Sequence, residues 1–135
     1  MDSILSGNLG SGLKCIPMSI AGVYIIERTQ KHDTRGMFER LYCHETMKHL
    51  GWQSGIAQMN HSYTKQVGTV RGMHYQTPPF AEYKLVSCIR GVVWDVVVDV
   101  RENSATFLQH VAMHLSAENA LALLIPPGCA HGFQT

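Results

Sequence analysis

From Gly22 onward, apolar residues come in short runs that alternate with polar ones, and Gly, Pro, Asn or Asp separates each run from the next. Runs of this kind, with a period of two and turn residues between them, are the pattern of β-strands. They predict strands at Val23–Arg28, Met37–Cys43, Ser54–Tyr63, Thr69–Tyr75, Lys84–Ile89, Val92–Val100, Phe107–Leu115, Ala120–Ile125 and Ala130–Gln134. Only His44–Leu50 reads as a helix, and Ser116–Asn119 reads as a single turn. Met1–Cys15 is rich in Ser and Gly without apolar periodicity, which predicts a flexible leader before a domain spanning residues 16–135. No helical segment is long enough to cross over between parallel strands. The expected class is therefore all-β, an antiparallel sandwich or barrel of jelly-roll type.

The segment Gly91–Arg101 carries the sharpest version of this pattern. Alternation puts Val92, Trp94, Val96, Val98 and Val100 on one face, and Val93, Asp95, Val97 and Asp99 on the other. One face is wholly apolar and the other is broken by two carboxylates. The strand alone leaves open which of them is inside.

Length and composition narrow the picture. At 135 residues the chain holds one domain, and 45% apolar against 16% charged residues marks a core-forming sequence. Eleven basic and ten acidic residues give a net charge of +1, which offers no electrostatic footprint for nucleic acid or an anionic membrane. The apolar runs are too short to span a bilayer, and Met1–Lys14 lacks the apolar stretch of a secretory signal, so a cytoplasmic protein is expected. Cys15, Cys43, Cys88 and Cys129 form no Cys-x-x-Cys pair and read as reduced thiols.

The chemistry concentrates in the second half. Arg71-Gly-Met-His74-Tyr-Gln76 lies in a predicted strand, Lys84 opens the next, and Pro126-Pro-Gly-Cys-Ala-His131 sets a second histidine after a tight turn. Upstream, Gln58, Asn60 and Ser62 share a strand face. An imidazole, an ammonium, a guanidinium and amides on neighbouring strands suit proton abstraction beside a carbonyl in a phosphate-bearing substrate. The bare residues also allow His74 to be an ordinary strand histidine, Lys84 to solvate a strand end and His131 to cap its turn. Asp95 and Asp99 read as partners for cationic neighbours, and the remaining histidines as surface or packing residues. Eight histidines raise the question of a metal, but no His-x-His occurs. His110 and His114, at strand spacing, would stand about 13 Å apart, too far to share an ion. No metal is expected.

The stretches Asp33-Thr-Arg-Gly36, Gln58-Met-Asn60, Arg71–Gln76, Lys84-Leu-Val, Asp95–Arg101, Leu115–Asn119 and Ile125–Phe133 resemble, in order and spacing, the dTDP-4-dehydrorhamnose 3,5-epimerases and related dTDP-sugar isomerases, which are cupin-like jelly rolls. The resemblance covers about Ile16 to Thr135. It implies epimerisation at C3, C5 or both of a dTDP-4-keto-6-deoxy sugar, without a cofactor, in a homodimer. The C–H bonds at those carbons are acidic because the carbanion delocalises onto the ketone as an enolate. By resemblance His74 is the general base and Lys84 stabilises the enolate oxygen. Arg71 contacts the diphosphate, and Arg35, Gln58, Asn60 and His131 bind substrate. For Arg71 and His74 to share a face, three residues apart, a β-bulge is needed near Gly72.

Two departures qualify what the resemblance implies. The family's glutamate five residues after the Arg-Gly arginine, Arg35 in this sequence, is Arg40 here, with Glu39 one position earlier, on the opposite strand face. The family's general-acid tyrosine, and the aspartate that pairs with the base, fall beyond Thr135, so the C-terminal part of the jelly roll is expected to be missing. The alternative to an active isomerase is thus a truncated, non-catalytic nucleotide-sugar-binding domain. A metal-dependent cupin oxygenase is a third reading that lacks the ligand spacing.

Overall fold

The computed structural model describes residues 12–135 of the chain. In chain order the elements are β1 (Leu13–Pro17), β2 (Tyr24–Arg28), β3 (Lys31–Asp33), β4 (Gly36–Phe38), α1 (His44–His49), β5 (Val70–His74), β6 (Lys84–Ser87), β7 (Val92–Asp99), β8 (His110–Ser116), β9 (Leu121–Ile125) and β10 (Cys129–Gln134). The fold is an antiparallel jelly roll of two four-stranded sheets, ordered β1-β2-β9-β6 and β5-β10-β7-β8, with β3-β4 as a separate hairpin.

Two apolar cores hold these layers. Between the sheets pack Ile20, Val23, Cys88, Val97, Leu115, Leu123, Ile125 and Cys129. On the other side of the first sheet, Leu13, Cys15, Tyr24, Ile26, Ala122 and Leu124 pack against Met47, Leu50 and Trp52 from α1 and its C-terminal turn. Strand β9 serves both cores. Leu123 and Ile125 face inward while Ala122 and Leu124 face α1, which is why this segment reads as an unbroken apolar run.

Several predicted boundaries move. The leader reaches Cys15 in the sequence reading, but β1 already begins at Leu13, and Leu13 and Cys15 are both fully buried. Three alternating residues are too few to register as a period, so the strand is disguised; residues 1–11 of the predicted leader lie outside the described residues. The predicted strand Met37–Cys43 is short, β4 ending at Phe38, and it pairs with an unpredicted β3. The predicted strand Ser54–Tyr63 is irregular backbone. Residues 56–63 are all exposed, so neither face of that segment has a core to fix a register.

The question left open at β7 has a definite answer. Asp95, Val97 and Asp99 are fully buried, whereas Val92 and Trp94 are 52% and 41% exposed. The face carrying the carboxylates is the inner one. The four cysteines are free, and burial pushes the Cys15 and Cys129 thiols up, away from nucleophilic use.

Candidate active site

The inner face of the second sheet gathers the polar residues. Antiparallel pairing sets His131 of β10 directly opposite His74 of β5, and Phe133 opposite Arg71. Two residues of β10 thus span three of β5, which is a β-bulge at Gly72–Met73. The extra residue turns Arg71 and His74 to the same face, as the sequence reading expected. Gly132 makes the bulge possible: a Cβ there would stand 2.7 Å from the Arg71 carbonyl oxygen and 2.9 Å from the Gly72 carbonyl carbon.

The His74 and His131 rings lie 4.8 Å apart, centroid to centroid, at 55°. His74 is exposed on the edge strand, and its Nδ1 is 3.0 Å from the Gly72 carbonyl oxygen. A carbonyl only accepts, so Nδ1 donates and neutral His74 keeps its lone pair on Nε2. His131 is buried, with Nδ1 3.3 Å from each carboxylate oxygen of Asp95. Arg71 stacks toward Phe133, Cζ 5.9 Å from the ring centroid. Its Nε and Nη2 donate to Thr64 Oγ1 at 3.2 Å, and Nη2 also donates to the Tyr63 carbonyl at 3.4 Å. These contacts orient the exposed guanidinium against the segment before β5 and against Phe133.

Lys84 lies on the other sheet. It pairs with Ile125, and its neighbour Val86 with Leu123, so Lys84 shares the face that lines the inter-sheet core. Its ammonium is held by the Glu82 carboxylate. The remaining predicted contacts are not gathered here. Gln58 and Asn60 are exposed in the irregular segment before β5. Arg35 sits in the β3–β4 turn, its guanidinium 2.6 Å from Asp33 and its backbone N–H donating to the same side chain at 2.8 Å.

Glu39 is accounted for elsewhere. It lies 3.2 Å from Arg28 Nε and accepts from Gln30 at 3.1 Å. Arg28 follows Tyr24 and Ile26 on the α1 side of the first sheet, away from His74. Arg40 is on that side too, beside Gly12 and near Cys43, whose thiol is held low chiefly by hydrogen bonds with Thr46 and then by Arg40.

Asp95 as the partner of His131 is what the strand reading missed. The signal was present as two carboxylates on one face of a valine-rich strand, but its meaning depended on which face is buried. Asp99 has a different role. It accepts from Arg101 Nε at 2.9 Å, Ser104 Oγ at 2.5 Å and Thr106 Oγ1 at 2.6 Å, which ties down the start of the β7–β8 connection. Among the described residues, no group of three or more His, Cys, Asp and Glu side chains could hold a metal ion. No helix there is long and apolar enough to cross a membrane.

Comparison with known proteins gives this geometry a context. Residues 17–135 match the model of the dTDP-4-dehydrorhamnose 3,5-epimerase family. A dTDP-4-dehydrorhamnose 3,5-epimerase of Sinorhizobium fredii is 43% identical over 118 residues, covering 87% of this chain and 60% of that protein. The crystal structure of a dTDP-4-dehydrorhamnose 3,5-epimerase from Elizabethkingia anophelis superposes with a TM-score of 0.85 at 42% identity, over 92% of this chain and 68% of that one. A dTDP-6-deoxy-D-glucose-3,5-epimerase from Legionella pneumophila, solved with dTDP-4-keto-L-rhamnose, gives 0.76 at 36% identity, over 91% and 65%. The chain spans 58 to 67% of the length of the curated relatives it matches.

Proposed function

The chain belongs to the dTDP-4-dehydrorhamnose 3,5-epimerase family, and from that premise we propose that it epimerises a dTDP-4-keto-6-deoxy sugar at C3, C5 or both, by removing the proton next to the ketone and returning one from water to the opposite face of the enolate. His74 is the base in this reading. The observation that carries it is the Nδ1–H donated to the Gly72 carbonyl, which leaves Nε2 as the accepting nitrogen on an exposed, approachable face. A neutral imidazole has a lone pair with which to accept the substrate's proton.

Lys84 stabilises the enolate oxygen as charge develops on it, exchanging the Glu82 carboxylate for the substrate. Arg71, already oriented by Thr64 and Phe133, offers its free donor edge to a phosphate. Gln58, Asn60 and Arg35 contact substrate from the exposed segments before β5 and between β3 and β4, and His131 from within. A homodimer and a cytoplasmic location belong to the same proposal, and light scattering over a range of chain concentrations tests the dimer.

The decisive experiment is NMR of dTDP-4-keto-6-deoxyglucose incubated with the chain in D₂O, beside a His74→Ala variant. Deuterium should enter C3 or C5, and the variant should be slower by about 10²–10⁴-fold. Exchange that is equal in both proteins would remove His74 as the base. A folded chain that binds the sugar nucleotide and exchanges nothing would leave a nucleotide-sugar-binding domain in place of an enzyme.

A further inference from the structure

Three adjacent strands line up three polar side chains across the inner face of the second sheet. Asp95 on β7 lies diagonally beside His131 on β10, because His131 pairs with Val97, two residues along. His131 in turn faces His74 on β5. Diagonal neighbours on one face of a sheet are within reach of long side chains, and here the contact is made, at 3.3 Å from Nδ1 to both carboxylate oxygens. Asp95 is fully buried in a valine-rich strand. A carboxylate in such a place is costly unless it is paired, and an apolar residue would pack there without that cost.

We propose that Asp95 is a positioning residue: it locks the His131 ring so that Nδ1 always carries a proton turned into the core and Nε2 is the nitrogen presented to ligand beside His74. An ionised carboxylate only accepts, so Nδ1 must donate whether the ring is neutral or cationic. Neutral His131 then offers a lone pair to a ligand hydroxyl, and the same ring donates from Nε2 once it takes up a proton. Without Asp95 the two tautomers are both open to it, and the ring is free to turn about its own axis. With the Gly72 carbonyl holding His74 in the same way, both imidazoles are oriented from behind through Nδ1. The catalytic consequence rests on the epimerase reading above; the tautomer does not.

The test is long-range ¹H–¹⁵N NMR of the histidine rings in the full 135-residue chain, compared with Asp95→Asn. His131 Nδ1 should be protonated in the wild type at every pH where the chain is folded. In Asp95→Asn, which keeps the side-chain volume but adds an amide donor, the ring should shift toward the Nε2–H tautomer. Deuterium exchange into the keto sugar at saturating substrate should fall about 10–100-fold, the scale of losing a partner that orients an imidazole from behind, with dTDP affinity nearly unchanged. A bare Nδ1 in the wild type overturns the proposal, as do ring-nitrogen signals that ignore the substitution. Should Asp95→Asn fail to fold, the wild-type tautomer decides by itself. Should the wild type exchange no deuterium, the epimerase reading falls, while the ring-nitrogen result still settles the role of Asp95.

Discussion

Both aspartates of β7 are fully buried, and each is met by a different kind of partner. Asp95 has an imidazole, while Asp99 has a guanidinium and two hydroxyls. The side-chain hydrogen bond from Arg101, with help from Ser104 and Thr106, holds the Asp99 carboxyl far below the usual carboxylate range against the opposing effect of burial. Folded Asp99 therefore gives up its proton more readily than the unfolded chain's carboxyl, whose ordinary pKa is ~3.9. Its contribution is complete above that value and drains away as pH falls toward the depressed folded value. Asp99→Asn should cost about 3 kcal/mol at neutral pH, the scale of breaking a buried pair. The difference from wild type should shrink below about pH 4. Urea denaturation of both proteins between neutral and acid pH checks this, and parallel pH profiles would refute it.

The candidate site on the second sheet depends on one irregular pair, β5 with β10. The bulge at Gly72–Met73 brings Arg71 and His74 to one face, and it sits against Gly132 with no room for a side chain. Gly72 itself faces open space: nothing lies within 4 Å of a Cβ built there. The two glycines should thus respond differently. Gly132→Ala drives a methyl into backbone and should cost about 1–3 kcal/mol while displacing Arg71. Gly72→Ala should cost less than about 1 kcal/mol. Denaturation midpoints and dTDP affinity, measured on both variants, separate the cases, and equal effects would show that the bulge does not depend on Gly132. In the sequence, the bulge was legible only as a demand that Arg71 and His74 share a face. Gly132 carried no such signal, because its constraint comes from a strand about 60 residues away.

For the molecule as a whole, the first sheet divides the interior into two cores, one against α1 and one against the site-bearing sheet. Met47 belongs to the first and is fully buried. Met47→Ala should cost about 2–5 kcal/mol. It should leave the folded protein's affinity for dTDP within about twofold, since separated sites act independently. Calorimetry with a binding titration tests both halves, and a large loss of affinity would mean that the two cores are coupled through β9. The sequence by itself determined the all-β class, most strand positions, the helix and the residue types of the site, because alternation, turn residues and side-chain chemistry are local properties. It placed His74, Arg71 and Lys84 on neighbouring short strands, and the structure sets Lys84 on the sheet facing the other two. Only the tertiary structure decided that the carboxylate face of β7 is buried, that Asp95 stands behind His131, and that Glu39 belongs to Arg28. Each of those depends on which partner a strand meets, and burial on one face or the other is settled by the opposite sheet. A period of two defines two faces and cannot say which of them will be inside.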